Sequence, residues 1–149
     1  MAQGDDLYRD SDFGLKNGGR KLSGMDTEKI YTAMDHAAPL LIIPVVVPNA
    51  ASTDTDVTLD SDQGKLRVVD VKAVKIGGNG GASNTITVKN GSDAITDALD
   101  MDVVDKTEVR SGTIDDANHE IAAVGTLRVT HVKSAGNSNA IVYVTCVRA

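Results

Sequence analysis

The stretch Thr85-Ile86-Thr87-Val88-Lys89-Asn90-Gly91-Ser92 decides the fold. Its first five residues alternate polar and apolar, which puts Ile86 and Val88 on one face of an extended strand and Thr85, Thr87 and Lys89 on the other. β-Branched side chains dominate it, as a pleated surface favours. Asn90-Gly91 then predicts a two-residue type I′ hairpin turn, because both central positions of that turn need positive φ. Residues 94–99 are the return strand that such a turn implies.

The same texture continues on both sides. Residues 40–47 (LLIIPVVV) read as a buried or edge strand, with Pro44 marking a position that donates no ladder hydrogen bond. Val57 and Leu59 alternate inside an acidic stretch and mark a second short strand. Within 66–76, Val69, Val71 and Ala73 share one face and Val74 and Ile76 the other, the phase change of a β-bulge or of a strand buried on both faces. The run 77–81 (GGNGG) reads as a flexible hairpin tip, 115–120 as a turn, and 127–132 with 140–147 as a last hairpin across 133–139. Many short strands with hardly any helix predict an all-β body, a β-sandwich or jelly roll.

Residues 1–36 are different. They are polar and scarcely periodic, with Gly4, Gly14, Gly18, Gly19 and Gly24 scattered among charges. The expected organisation is therefore an extended N-terminal arm over 1–36 and a β-sandwich body over 37–149. Residues 26–36 (DTEKIYTAMDH) fit a short helix, with Asp26 or Thr27 as cap and Ile30 and Met34 on one face; a loop is the alternative. Burying an apolar anchor contributes about 1.5–3 kcal/mol, whereas ordering each residue of backbone costs about 1–2 kcal/mol. An arm with so few anchors needs a surface to lie on, and the extended reach of residues 1–24, roughly 80 Å, favours a neighbouring subunit over its own body. Tyr8, Phe13, Leu15 and Leu22, with Ile30 and Tyr31, are the expected partner contacts. For Ile30, Tyr31 and Met34, covering one end of the chain's own core is the competing reading.

Composition narrows the partners. The formal net charge is −6 and the Lys and Arg residues are scattered singly, which argues against nucleic acid. No membrane partner is expected: the longest apolar run, 37–48, is too short to span a bilayer and contains three prolines. Residues 1–22 lack the apolar core of a secretory signal, so synthesis in a cytoplasm is expected. Aromatic residues make up 3% of the chain, with no Trp and Phe13 alone among phenylalanines, so the core must be aliphatic. Small side chains bury little area each, and an oligomer is one way to add more. Cys146, unpaired in an apolar run, reads as a small buried hydrophobe.

No catalytic, cofactor or metal constellation emerges, and the chain is expected not to be an enzyme. The glycine run has neither dinucleotide nor P-loop spacing and precedes a strand, not a helix. Counting from Asp56 in the acidic stretch Asp54, Asp56, Asp60, Asp62, the sixth and twelfth positions of an EF-hand loop hold Ser61 and Arg67 in place of Gly and Glu. A solvated acidic loop is the reading there, an irregular calcium site the alternative. His36, His119 and His131 have no zinc-like spacing. Ser92 lies in a turn sequence and not in GxSxG.

Three segments, 88–99 (VKNGSDAITDAL), 112–121 (GTIDDANHEI) and 141–148 (IVYVTCVR), resemble the head decoration, or capsid cement, proteins of tailed bacteriophages. The resemblance spans the chain from Val88 onward. It implies a sandwich or jelly-roll body, commonly a homotrimer, on the capsid exterior at junctions between major capsid protein subunits. It implies no catalytic residues. The alternative is a head-fibre or tail module that adheres to host glycans. Scarce aromatics tell against this, since sugar faces usually stack on aromatic rings.

Overall fold

A computed structural model describes residues 40–149. The expected short helix over 26–36 and the anchors Tyr8, Phe13, Leu15, Leu22, Ile30 and Tyr31 lie outside the described residues.

Where Val, Ile and Thr are densest, the chain forms its longest strands. In chain order they are β1 (Leu41–Val47), β2 (Thr53–Thr58), β3 (Leu66–Lys75), β4 (Thr85–Asn90), β5 (Asp93–Ala94), β6 (Leu99–Asp100), β7 (Glu108–Arg110), β8 (Glu120–Ile121), β9 (Thr126–Val132) and β10 (Ala140–Arg148). All pairings are antiparallel. One sheet runs β1-β10-β3-β7, with β8 also paired to β3; the other runs β2-β9-β4-β5, with β6 also paired to β4. A 3-10 turn at Ser61–Gln63 is the one helical element among the described residues. The body is all-β and sandwich-like, as expected.

Period-2 alternation supplies the core. Ile43, Val45 and Val47 of β1, Val68, Val71 and Ala73 of β3, and Val142, Val144 and Cys146 of β10 are buried from the first sheet. Ile86, Val88, Leu127 and Val129 are buried from the second, and all belong to one cluster. Aliphatic side chains of this size each contribute about 1.5–3 kcal/mol when fully buried.

Five local expectations need correction. The bulge in β3 exists, but its phase differs. Thr145 faces Asp70 while Cys146 faces Val68. Val69 is therefore the extra residue and points outward, 42% exposed, while Leu66 and Val68 join Val71 and Ala73 inside. An inserted residue lets the strand resume its inward phase on the far side. In the hairpin, Asn90 pairs with Asp93, so the two loop residues are Gly91 and Ser92. Only Gly91 has positive φ, at 60°, which is the pattern of a type II′ turn and not type I′. The return strand is split into β5 and β6: Ile95 dives into the core, and Thr96 Oγ1 accepts the Val88 N–H at 3.1 Å.

The last hairpin does not form. β9 and β10 lie in different sheets, so 133–139 crosses between sheets. The glycine run 77–81 is likewise no hairpin tip, because it belongs to the crossing from β3 to β4. The two crossings pack on each other. A Cβ on Gly81 would lie 2.6 Å from the Ala135 carbonyl, so close backbone approach requires glycine there. Asn84, 1% exposed, donates to the Ala135 carbonyl at 2.8 Å and accepts the Ser134 N–H at 3.0 Å. The buried Lys75 ammonium donates to the Asn137 carbonyl, and burial pushes its pKa down.

Candidate interaction surface

Since the inner faces fill one core, what the body offers to partners is its outer faces. On the first sheet, Ile42, Pro44 and Val46 of β1 point outward and are exposed. Across the ladder they sit beside Thr145, Tyr143 and Ile141 of β10, which in turn neighbour Asp70, Lys72 and Val74 of β3. Lys72 and Val74 next face Arg110 and Glu108 of β7. The face thus divides into two strips. Ile42, Pro44, Val46, Ile141 and Val74 make an aliphatic strip, with Ile42 57% and Val46 62% exposed. Beside it lies a charged strip whose members satisfy one another: Lys72 Nζ donates to Glu108 at 3.1 Å, and Arg110 lies 3.5 Å from Asp70. Tyr143, half-buried, has the Lys72 ammonium 5.6 Å from its ring centre.

β1 is also the end of its sheet. An edge strand with free N–H groups invites another strand to pair with it. Pro44 interrupts this, since it has no N–H to donate. The surface on offer is therefore the side-chain face more than the backbone edge.

The second sheet is built differently outside. Asp54, Thr130 and Thr87 form one row, and Asp56, Arg128 and Lys89 the next. Arg128 grips Asp56 with two hydrogen bonds of 2.7 and 2.8 Å and lies 3.6 Å from Asp54. The Arg128 hydrogen bonds hold the Asp56 carboxyl below its ordinary pKa and raise that of the guanidinium.

The acidic stretch is thus not one loop. Asp54 and Asp56 lie on β2 beside Arg128, while Asp60 flanks the 3-10 turn, its N–H donating to Gln63 Oε1 at 3.3 Å. Among the described residues, no three His, Cys, Asp or Glu side chains are grouped to hold a metal ion. His131 points into the core, and His119 Nδ1 lies 3.7 Å from the Asp116 carboxylate. Cys146 is fully buried, and burial pushes its thiol up to about 11. No helix among the described residues is long and apolar enough to cross a membrane.

One cavity of about 150 Å³ lies against Leu40, Leu41, Gln63, Leu66 and Arg148, and one of about 260 Å³ against Ala94–Asp97, Thr113 and Asp115. Both fall below the roughly 300–1,000 Å³ of small-molecule sites.

The aliphatic strip was not singled out from the sequence, although a signal for it was present. A strand with one wet face alternates, whereas 41–47 is apolar at every position. A continuous run of this kind means that both faces are meant to be dry.

Compared with known proteins, the sequence matches no protein-family model and no curated protein.

Proposed function

We propose that this chain is a structural virion protein, a head decoration protein that binds the outside of a phage capsid and stabilises junctions between major capsid protein subunits. The observation that carries the reading is an all-β body with an aliphatic outer face on one sheet, presented alongside the three resembling segments. Those segments fall on the β4–β6 hairpin, the turn leading to β8, and β10. The protein acts as a homotrimer made in the host cytoplasm, performs no catalysis, and needs no cofactor. Its arm anchors Tyr8, Phe13, Leu15 and Leu22, with Ile30 and Tyr31, supply contacts to the shell. Many weak contacts repeated over many copies give firm attachment without any single strong site. A glycan-binding role gains nothing from Tyr143, the one aromatic side chain among the described residues, which is half-buried beside Lys72.

Co-sedimentation with undecorated capsids of the cognate phage tests this. The full-length protein should pellet with the shells, and a variant lacking residues 1–24 should remain folded but bind more weakly. A full-length protein that stays in the supernatant, or an arm-deleted one that binds as tightly, would contradict the proposal.

A further inference from the structure

We infer that the strained turn over residues 122–125 is a contact point with the shell, with Val124 seating in an apolar hollow of a capsid subunit. The inference rests on the decoration reading and adds to it a site on the body, apart from the arm and the aliphatic strip.

Geometry is the first ground. Residues 122–125 (AAVG) carry the chain from β8 in the first sheet to β9 in the second. The Gly125 N–H donates to the Ala122 carbonyl at 2.8 Å and closes a turn. Val124, in the third position of that turn, has a φ of 56°, a sign that Ala123 does not share. This is the type II pattern, whose third position calls for Gly or Asn. A β-branched residue held there is strained. The neighbouring glycine does not relieve it, because close approach already requires glycine at 125. A Cβ on Gly125 would lie 2.7 Å from the Ala122 carbonyl oxygen and 2.9 Å from Ile121 Cγ2. Both flanks are pinned: Ile121 and Leu127 are buried, and the Gly125 carbonyl accepts the Leu59 N–H at 3.0 Å.

Exposure is the second. Val124 is 64% exposed, and Ala122 and Ala123 beside it are exposed as well. Val124 belongs neither to the core cluster nor to the side chains packed against it. The folded body would be served better by Gly or Asn here. A strain retained at an exposed position points to a role outside the body.

Position and size select the partner. Leu66 faces Ile121 on one side and Arg148 on the other, and Cys146 two residues earlier faces Leu41. The turn therefore shares an end of the body with Leu40, where the chain enters from the proposed arm. A shell subunit gripped close to the arm's root meets this end. Glu120 beside the turn pairs with Lys65 and lies 3.7 Å from Arg67, so contact here strands no lone carboxylate. One turn falls far short of the roughly 800 Å² that each partner gives to a standard interface. Such a contact suits a shell, where it is repeated over many copies beside the arm contacts.

Two readouts on full-length variants test the inference: the thermal unfolding midpoint of the free protein, and co-sedimentation with undecorated capsids. Val124→Gly and Val124→Asn relieve the turn, so the midpoint should rise by about 2–4 °C. Shell affinity should nevertheless fall at least about fivefold, because the apolar contact is gone. Val124→Thr keeps the branched shape and adds a hydroxyl, so its midpoint should stay and its affinity should fall. A residue with a merely structural role would not give a firmer body that binds less well. Undiminished binding by the Gly and Asn variants would overturn the inference, as would a lowered midpoint, which would mean that the valine serves the body. Shell binding that weakens on arm deletion but ignores all Val124 variants would remove this inference and leave the decoration reading standing. A wild type that binds no shells would remove both.

Discussion

Across the outside of the second sheet, Asp54, Thr130 and Thr87 form one row and Asp56, Arg128 and Lys89 the next. Across the outside of the first, comparable rows read Val46, Ile141, Val74 and Pro44, Tyr143, Lys72. Both sheets bury aliphatic inner faces in the same core, so folding imposes the inner pattern on each and leaves the outer one free. Threonine and paired charges satisfy strand propensity while keeping a face wet. Valine, isoleucine and proline satisfy it while leaving a face that water solvates poorly. The two outer faces therefore differ in what they suit: the second is matched to solvent, and the first, on the proposed reading, to another protein surface.

The largest effect expected from breaking this contrast lies within β1 itself. Ile43 is 9% exposed and its neighbour Ile42 is 57% exposed. Ile43→Ala should cost about 2–5 kcal/mol of stability by chemical denaturation, whereas Ile42→Ala in dilute protein should cost about 0.5 kcal/mol or less. If the cost of Ile42→Ala grows with protein concentration, the outer face is being covered; equal costs in dilute protein would mean that it is covered within one chain.

A smaller effect concerns pH. Asp56 has its pKa lowered below the ordinary 3.8, chiefly by its hydrogen bond to Arg128. The stabilisation from that pairing is complete above the unfolded-state value and is lost as pH falls through the folded-state value. Asp56→Asn should therefore flatten the acid limb of a stability–pH profile below about 4 and leave the neutral region's slope unchanged. Glu120 on the first sheet is held down in the same direction by Lys65, so the variant should reduce the acid slope without abolishing it. An unchanged acid limb would show that the Arg128 pairing is too well solvated to matter, as exposed pairs often are.

Much of the fold was legible because period-2 alternation survives in sequence. β4 occupies 85–90 as read, and β1 follows from the run 41–47. What escaped was information carried by distant neighbours. Nothing local in 126–148 says that β9 and β10 join different sheets, since both strands and the turn residues between them are equally compatible with a hairpin. The same holds for 77–81, whose glycines look flexible until the Ala135 and Met101 backbones are seen against them. Lys75 occupies an inward position after Val71 and Ala73, yet a lysine there reads as solvent-facing until the Asn137 carbonyl is found to receive it. The candidate surface was half visible: the uninterrupted apolar run of β1 was noticed, but its outward half was not separated from its inward half.

The most direct test of the central claim is thiol labelling of full-length Val46→Cys and Thr87→Cys, measured over a concentration series of major capsid protein supplied as undecorated shells. The native Cys146 is a quiet background, fully buried and with its thiol pushed up to about 11. The thiol introduced at Thr87, a half-buried position, should react at a rate that does not change with protein concentration. The thiol at Val46 should react freely when shells are dilute and become protected as their concentration rises. Equal, concentration-independent rates at the two positions would contradict the claim that the two outer faces have different destinations.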